Sequence, residues 1–129
     1  MKASMSVTWA ATDTATGRFV AEERRTGLGE LTDHVDALRR CRGEGYLEVR
    51  LPDREFPVVT LGFRDERAVL HVFEDADTVS LRPGDGTTPA DAVVEVPVMD
   101  EPAVFSGDMA SSLDAAWSLL HRLLRSPAV

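Results

Sequence analysis

The chain has 129 residues, the usual size of a single domain with one hydrophobic core, and we expect residues 1–129 to form one domain. Apolar residues make up 43% of the chain and charged residues 28%, which excludes a disordered chain. The net charge is −8. No apolar run suits a secretory signal or a membrane span, so we expect a cytoplasmic protein. Because Cys41 is the only cysteine, we expect no disulfide within the chain and no cysteine-paired zinc site.

Two strands and a helix are predicted in the first third of the chain. Alternating Val7, Trp9 and Ala11, the polar stretch TDTATG and a second apolar run at Phe19 and Val20 are typical of a strand pair joined by a turn. Further along, GELTDHVDALRRCRG places Leu31, Val35 and Leu38 on one helical face, with arginines late and Gly43 as the stop. Cys41 borders this apolar stripe, where a lone thiol is expected to pack as a small hydrophobic side chain.

Between Tyr46 and Val98 the apolar period changes from helical to two, which predicts strands. The alternating residues indicate five strands, around 47–51, 59–63, 68–73, 79–81 and 94–98. Their connections are too short for crossover helices, so the sheet is expected to be largely antiparallel. The longest connection, 83–91, has the composition of a linker.

The end of the chain returns to helical spacing. Ser106, Asp108 or Ser111 is predicted to cap this helix, and Pro127 is predicted to end it. The apolar side chains on one side of the helix are Met109, Leu113, Ala116, Trp117, Leu120 and Leu124. A sheet with one apolar face needs cover, which two amphipathic helices supply. The predicted fold class is therefore α+β, a largely antiparallel sheet of about five to seven strands with two helices packed on one face.

The negative charge is concentrated between residues 74 and 108. This segment contains nine acidic residues and Arg82 as its one basic residue, whereas the rest of the chain has thirteen of each kind. Such asymmetry disfavours direct binding to nucleic acid or an anionic membrane and favours a basic partner, although an acidic face that only keeps the protein dispersed is the alternative. Because turns and loops expose their side chains, the predicted partner-binding residues are Glu74, Asp75, Asp77, Asp85, Asp91, Asp100 and Glu101.

Catalytic and metal-binding patterns are weak in this sequence. Asp75 and Asp77 match the first and third positions of a calcium loop, but Ser80 stands where its glycine is required and Gly86 where its glutamate is required. No nucleophile elbow or phosphate-binding glycine loop is present. His34, His71 and His121 have no i, i+4 partner and are expected to be structural. We therefore predict no catalytic residues, no metal and no cofactor.

The order of elements resembles a known family. Stretches that carry the likeness from about Leu28 onward are LTDHVDALR, PVVTLGF, AVLHVF, VEVP and LDAAWSLLHRLL. They are similar to immunity protein family one of bacterial polymorphic toxin systems, small cytoplasmic proteins encoded next to the toxins that they neutralise. This resemblance implies an antitoxin that inhibits by binding a cognate toxin domain, often a nucleic-acid deaminase or nuclease. Because a toxin that acts on DNA or RNA needs a basic cleft, an acidic inhibitor can occupy that cleft. We expect the protein to be monomeric or homodimeric and to have no enzymatic activity.

A different class of function is the alternative to an antitoxin. A small-molecule-binding or regulatory α+β domain would hold its ligand between sheet and helix, near Trp117, His71 and Tyr46. An apolar pocket with converging polar groups would favour that alternative, and a flat or convex acidic face with a few exposed aromatic side chains would favour the antitoxin.

Overall fold

The computed structural model describes residues 5–125. Within that range the chain forms nine strands, two α-helices and a short 3-10 turn at Gly107–Met109. The helices are α1 (Leu28–Cys41) and α2 (Leu113–Arg125). The strands are β1 (Ser6–Thr12), β2 (Phe19–Gly27), β3 (Glu44–Arg50), β4 (Val58–Arg64), β5 (Arg67–Phe73), β6 (Val79–Leu81), β7 (Val93–Val98), β8 (Glu101–Ser106) and β9 (Ser111–Ser112).

The main sheet has the strand order β2-β1-β3-β4-β5-β6, and β9 pairs with the start of β5. All the strand pairings described between residues 5 and 125 are antiparallel. The predicted α+β class, the antiparallel sheet and the two helices are confirmed. β7 and β8 do not join the main sheet but pair with each other as a separate hairpin.

Both helices pack on one face of the main sheet. Because strand side chains alternate between faces, every second residue of β1, β3 and β4 points toward the helices, and these side chains form one core with the helices. The predicted helical stripes supply Leu31, Val35 and Leu38 from α1 and Leu113, Ala116, Leu120 and Leu124 from α2, all buried. The helices thus cover an apolar face that the strands could not bury alone.

Several details at the helix ends differ from the predictions. Cys41 is the last residue of α1 and is exposed, so the predicted packing of its thiol is wrong. Met109 belongs to the 3-10 turn, and Ser112 Oγ caps α2 by accepting a hydrogen bond from Ala115 N (3.1 Å), a role predicted for other residues. Gly43 does follow α1, with a positive φ of 70° that suits glycine. The predicted stop at Pro127 lies outside the described residues.

The β7–β8 hairpin covers the opposite face of the main sheet. Val94 and Val96 point inward and form a second buried cluster with Val69 of β5 and Ala110. Gly62 of β4 lies directly beneath the hairpin, so close that a Cβ placed there would meet the backbone carbonyl oxygen of Pro97. The fold therefore has three layers, which are the helices, the main sheet and the hairpin. No helix among residues 5–125 is long and apolar enough to cross a bilayer.

Candidate protein interface

The first three predicted partner-binding acids lie in the turn between β5 and β6. Glu74, Asp75 and Asp77 are all exposed there. Asp75 Oδ1 accepts a hydrogen bond from the backbone N of Asp77 (2.8 Å), and this bond lowers the pKa of Asp75. The turn follows the end of β5, so these carboxylates mark one end of the main sheet.

Asp85 holds a loop together. Its carboxylate accepts hydrogen bonds from Thr87 Oγ1 (2.6 Å), Thr87 N (3.0 Å) and Ser112 N (3.0 Å). These bonds, led by that from the Thr87 hydroxyl, lower the pKa of Asp85 to about 2. Its oxygens are therefore already engaged, which makes Asp85 an anchor between the loop before β7 and the start of α2, although the side chain is exposed.

Asp91, Asp100 and Glu101 belong to the hairpin region. Asp91 is exposed just before β7, and Glu101 begins β8. Asp100, in the hairpin turn, accepts a hydrogen bond from Phe19 N (2.7 Å) and so ties the turn to the start of β2. Asp100 thus has a structural contact and an exposed side chain at the same time.

The seven predicted acids do not converge on one surface. Phe19 pairs with Thr12, at the end of β1, and this is the end of the sheet where β3 and β5 begin. The turn after Phe73 lies at the other end of β5, about 20 Å away for a strand of this length. The continuous acidic segment therefore splits into a β5–β6 turn group and a hairpin group, because antiparallel strands carry the chain to opposite ends of the sheet.

The hairpin group is larger than predicted. Acidic side chains are exposed along its whole length, from two residues before β7, through both strands and their turn, to the 3-10 turn after β8; they are Asp91, Glu95, Asp100, Glu101 and Asp108. Val94 and Val96 pack near β5, the Pro97 carbonyl lies over β4, and Asp100 reaches β2. The hairpin and its carboxylates thus cross the main sheet from β5 toward β2.

Exposed apolar side chains accompany these acids, and the sequence interpretation missed them. Val93 is 73% exposed, Val104 63% and Met99 50%. Val94 points inward, so Val93 and Glu95 point outward, and Val104 pairs directly with Glu95 across the hairpin. The sequence contained one indication of this exposure, the consecutive valines Val93 and Val94. Neighbouring residues in a strand point to opposite faces, so one of the two had to lie on the outer side.

Few of the segment's carboxylates are neutralised by the protein's own cations. Among residues 5–125, Arg39, Arg50 and Arg64 form the ion pairs, and their partners are Glu66, Asp114, Glu23, Glu44 and Glu95. Only Glu95 comes from the segment 74–108, where Arg64 binds it. The other eight acids are exposed, and none of them has an ion-pair partner within the described residues.

The predicted ligand pocket between sheet and helix does not form. Tyr46 and His71 alternate with core residues and lie on the hairpin side of the main sheet, where the His71 ring packs 5.6 Å from that of Phe105. Trp117 is on α2, on the opposite side, with its ring 4.9 Å from that of His121. Strand alternation therefore separates the three residues by the thickness of the sheet, and the prediction is wrong.

A cavity of about 580 Å³ opens elsewhere, beside the connection between β3 and β4. Its lining carries charges of both signs, including Glu48 and Arg50, and Arg50 forms a two-pronged ion pair with Glu23 (2.9 Å for both contacts). The Tyr46 hydroxyl donates to Glu48 (2.8 Å). Glu23, Glu48 and Arg50 therefore already have hydrogen-bond partners within the protein. The lining also contains Asp53, Arg54 and Glu55, which are exposed.

The histidines lie in separate parts of the fold, each against an aromatic ring. His34 packs 5.0 Å from Trp9, and its Nε2 is 2.7 Å from the carbonyl oxygen of Thr12. Burial lowers the pKa of both His71 and His121. Among residues 5–125, no group of three or more His, Cys, Asp or Glu side chains is placed to hold a metal ion.

Comparisons with known proteins support the fold and do not identify the function. No protein-family model and no curated protein matches the sequence. The structure is similar to the crystal structure of a hypothetical protein from Neisseria gonorrhoeae, with a TM-score of 0.57 and 11% sequence identity over 97% of this chain and 92% of that one. This likeness covers nearly the whole of both chains and supports the α+β fold alone, so the resemblance to the immunity family stays a prediction.

Proposed function

We propose that this protein is an antitoxin of the immunity-protein type, which binds a cognate cytoplasmic toxin domain with a basic cleft and acts without catalysis or a cofactor. The observation that carries the proposal is the set of eight exposed carboxylates in residues 74–108 that have no ion-pair partner among the described residues. Because the protein's own arginines do not pair with these carboxylates, the carboxylates can form ion pairs with basic side chains of a partner protein.

The physical mechanism follows from the substrate of such a toxin. A deaminase or nuclease needs a cationic surface for the phosphates of DNA or RNA. Carboxylates presented at phosphate positions would occupy that surface and speed the capture of the toxin through long-range attraction. Because exposed ion pairs contribute little affinity on their own, apolar contacts must supply a slow dissociation.

A small-molecule-binding role is the second candidate, and the cavity of about 580 Å³ favours it. Its charged lining lacks the mostly apolar walls of an ordinary ligand pocket. A purely solubilising acidic face is the other alternative to binding. Both alternatives predict no affinity for the toxin, which separates them from the antitoxin.

The test is calorimetric titration of the full chain into the toxin domain encoded by the adjacent gene, together with an assay of toxin activity. A variant with Glu74→Gln, Asp77→Asn, Asp91→Asn and Glu101→Gln removes four carboxylates that make no side-chain contact described here. The control removes four exposed carboxylates elsewhere, with Glu22→Gln, Glu30→Gln, Asp33→Asn and Asp53→Asn. Both variants change the net charge equally.

The antitoxin proposal predicts one-to-one binding that abolishes toxin activity and weakens with salt. The first variant should bind at least about tenfold more weakly with a flatter salt dependence, and the control should stay within about twofold of the original chain. Absence of binding by the original chain would refute the proposal and move the search to the cavity. Equal loss in both variants would show that only net charge matters.

A further inference from the structure

We propose that the outer face of the β7–β8 hairpin is the docking surface for the toxin, with Val93 and Val104 as its apolar contacts and the surrounding carboxylates as its rim; this rests on the proposed antitoxin function. We call this surface the hairpin face; it comprises Val93, Glu95, Val104, the turn residues Met99 and Asp100, and Glu101 at the start of β8. The β5–β6 turn is assigned no part in docking.

The exposed apolar area lies mainly on the hairpin. Of the large hydrophobic residues that are exposed among residues 5–125, Val93, Met99 and Val104 lie on the hairpin, while Val20 and Val79 lie singly on edge strands. A surface whose purpose is only to stay in water needs carboxylates but gains nothing from valines among them. On the outer face the two valines flank Glu95, whose charge Arg64 offsets, and the carboxylates without a described ion-pair partner lie farther out, before β7 and at the turn. Apolar contacts surrounded by a polar rim are typical of protein-binding surfaces.

The hairpin is held in place before any partner binds. The Pro97 carbonyl is seated against Gly62, Arg64 binds Glu95, and Asp100 accepts a hydrogen bond from Phe19 N. Beyond the strands, Gly107 N donates to the Ala92 carbonyl (2.8 Å). A preordered surface loses little conformational entropy on binding, so its contacts contribute more fully to affinity.

The charge of the hairpin indicates the chemistry of its occupant. Five carboxylates lie on the hairpin or next to its ends, and among the described ion pairs only Arg64 binds one of them, Glu95. A second copy of this hairpin would bring like charges together, and nucleic acid or an anionic membrane would be repelled. The occupant that fits is a protein surface with arginine or lysine side chains around an apolar spot.

The test compares pairs of substitutions in the full chain, using the toxin domain encoded by the adjacent gene, made inactive by an active-site substitution, as the probe. Val93→Ser with Val104→Ser removes the apolar contacts, and Val20→Ser with Val79→Ser is the matched control, because it removes two exposed valines elsewhere. Asp91→Asn with Glu101→Gln removes rim charge, and Asp75→Asn with Asp77→Asn removes the same charge from the β5–β6 turn. Surface plasmon resonance gives both rate constants, and circular dichroism checks folding.

The hairpin face predicts that the Val93/Val104 pair raises the dissociation rate at least about tenfold, while the Asp91/Glu101 pair slows association and flattens its salt dependence. Both control pairs should stay within about twofold of the original chain. If the original chain binds and the Val93/Val104 pair binds equally well, the hairpin face is refuted and the antitoxin function stands. If the original chain does not bind, both fail. The original chain could instead self-associate, and the Val93→Ser/Val104→Ser variant could lose that self-association. This result would show that the hairpin face binds a second copy of the chain, and it would refute the proposal of a basic partner.

Discussion

Replacing Gly62 by alanine tests the close packing of the β7–β8 hairpin against β4. The added Cβ would lie less than 3.0 Å from the Pro97 carbonyl oxygen and 3.3 Å from Val96 Cγ2, whereas ordinary contact begins at 3.4 Å. The obstacle is backbone, which cannot swing aside as a flexible side chain would, so the hairpin must retreat from β4. Overpacking of this kind costs about 1–3 kcal/mol. Alanine regains roughly 0.5–1 kcal/mol because it has fewer unfolded conformations than glycine, which leaves a net loss centred on about 1 kcal/mol and no larger than about 2.5 kcal/mol.

Urea unfolding, followed by tryptophan fluorescence, measures this loss. The midpoint should fall while the slope m stays unchanged, because the same surface is exposed on unfolding. The matched control is Gly29→Ala in α1, where an added Cβ meets no atom within 4 Å and should leave stability unchanged or raise it by up to about 1 kcal/mol. If Gly62→Ala were as stable as the original chain, the hairpin would not be seated on β4, and the packing described here would be wrong.

Three further changes probe other contacts. Asp85→Asn should lower stability at pH 7 by at most about 1 kcal/mol, because the site is exposed. The pKa of Asp85 is lowered on folding to about 2 from its ordinary 3.8, so this contribution is present above pH 3.8 and lost as the pH falls toward 2, where thermal melts of the two proteins should coincide. Thr26→Val should cost about 1–2 kcal/mol by leaving Trp9 Nε1 without its acceptor (2.8 Å), and Thr26→Ser should restore most of the loss in the same urea assay. Cys41 should react fully with a thiol reagent in the native protein, and a thiol that titrates only in denaturant would contradict its exposure.

Periodicity was sufficient to predict most of the main sheet and both helices. The five strands predicted between Tyr46 and Val98 correspond to β3 through β7, and the helical stripes of α1 and α2 are buried as expected. β8 was missed because Glu101 and Pro102 interrupt any apolar alternation at its start. The length of β2 was also missed, since the residues after Val20 are mostly charged and lie exposed on an edge strand that buries few of its side chains.

The placement of the candidate site was less predictable than the elements around it. Alternation showed that 94–98 is a strand but contains no information on which sheet that strand joins, and the hairpin layer depends on long-range packing of Val96 near Gly62. Asp75 and Asp100 belong to the same acidic segment yet lie near opposite ends of the main sheet. Charge counted along a chain therefore overstated the size of any single acidic patch, and exposed Val93 and Val104 now distinguish the two groups.

The most direct test of the account is hydrogen exchange of the full chain, measured by mass spectrometry with and without the inactive toxin domain. The account predicts that peptides covering Val93–Val98 and Glu101–Ser106, with the turn between them, gain protection in the complex, while the turn between Phe73 and Val79 exchanges as it does in the free protein. Protection confined to the β5–β6 turn or the helices, or no change anywhere, would contradict a docking role for the acidic hairpin.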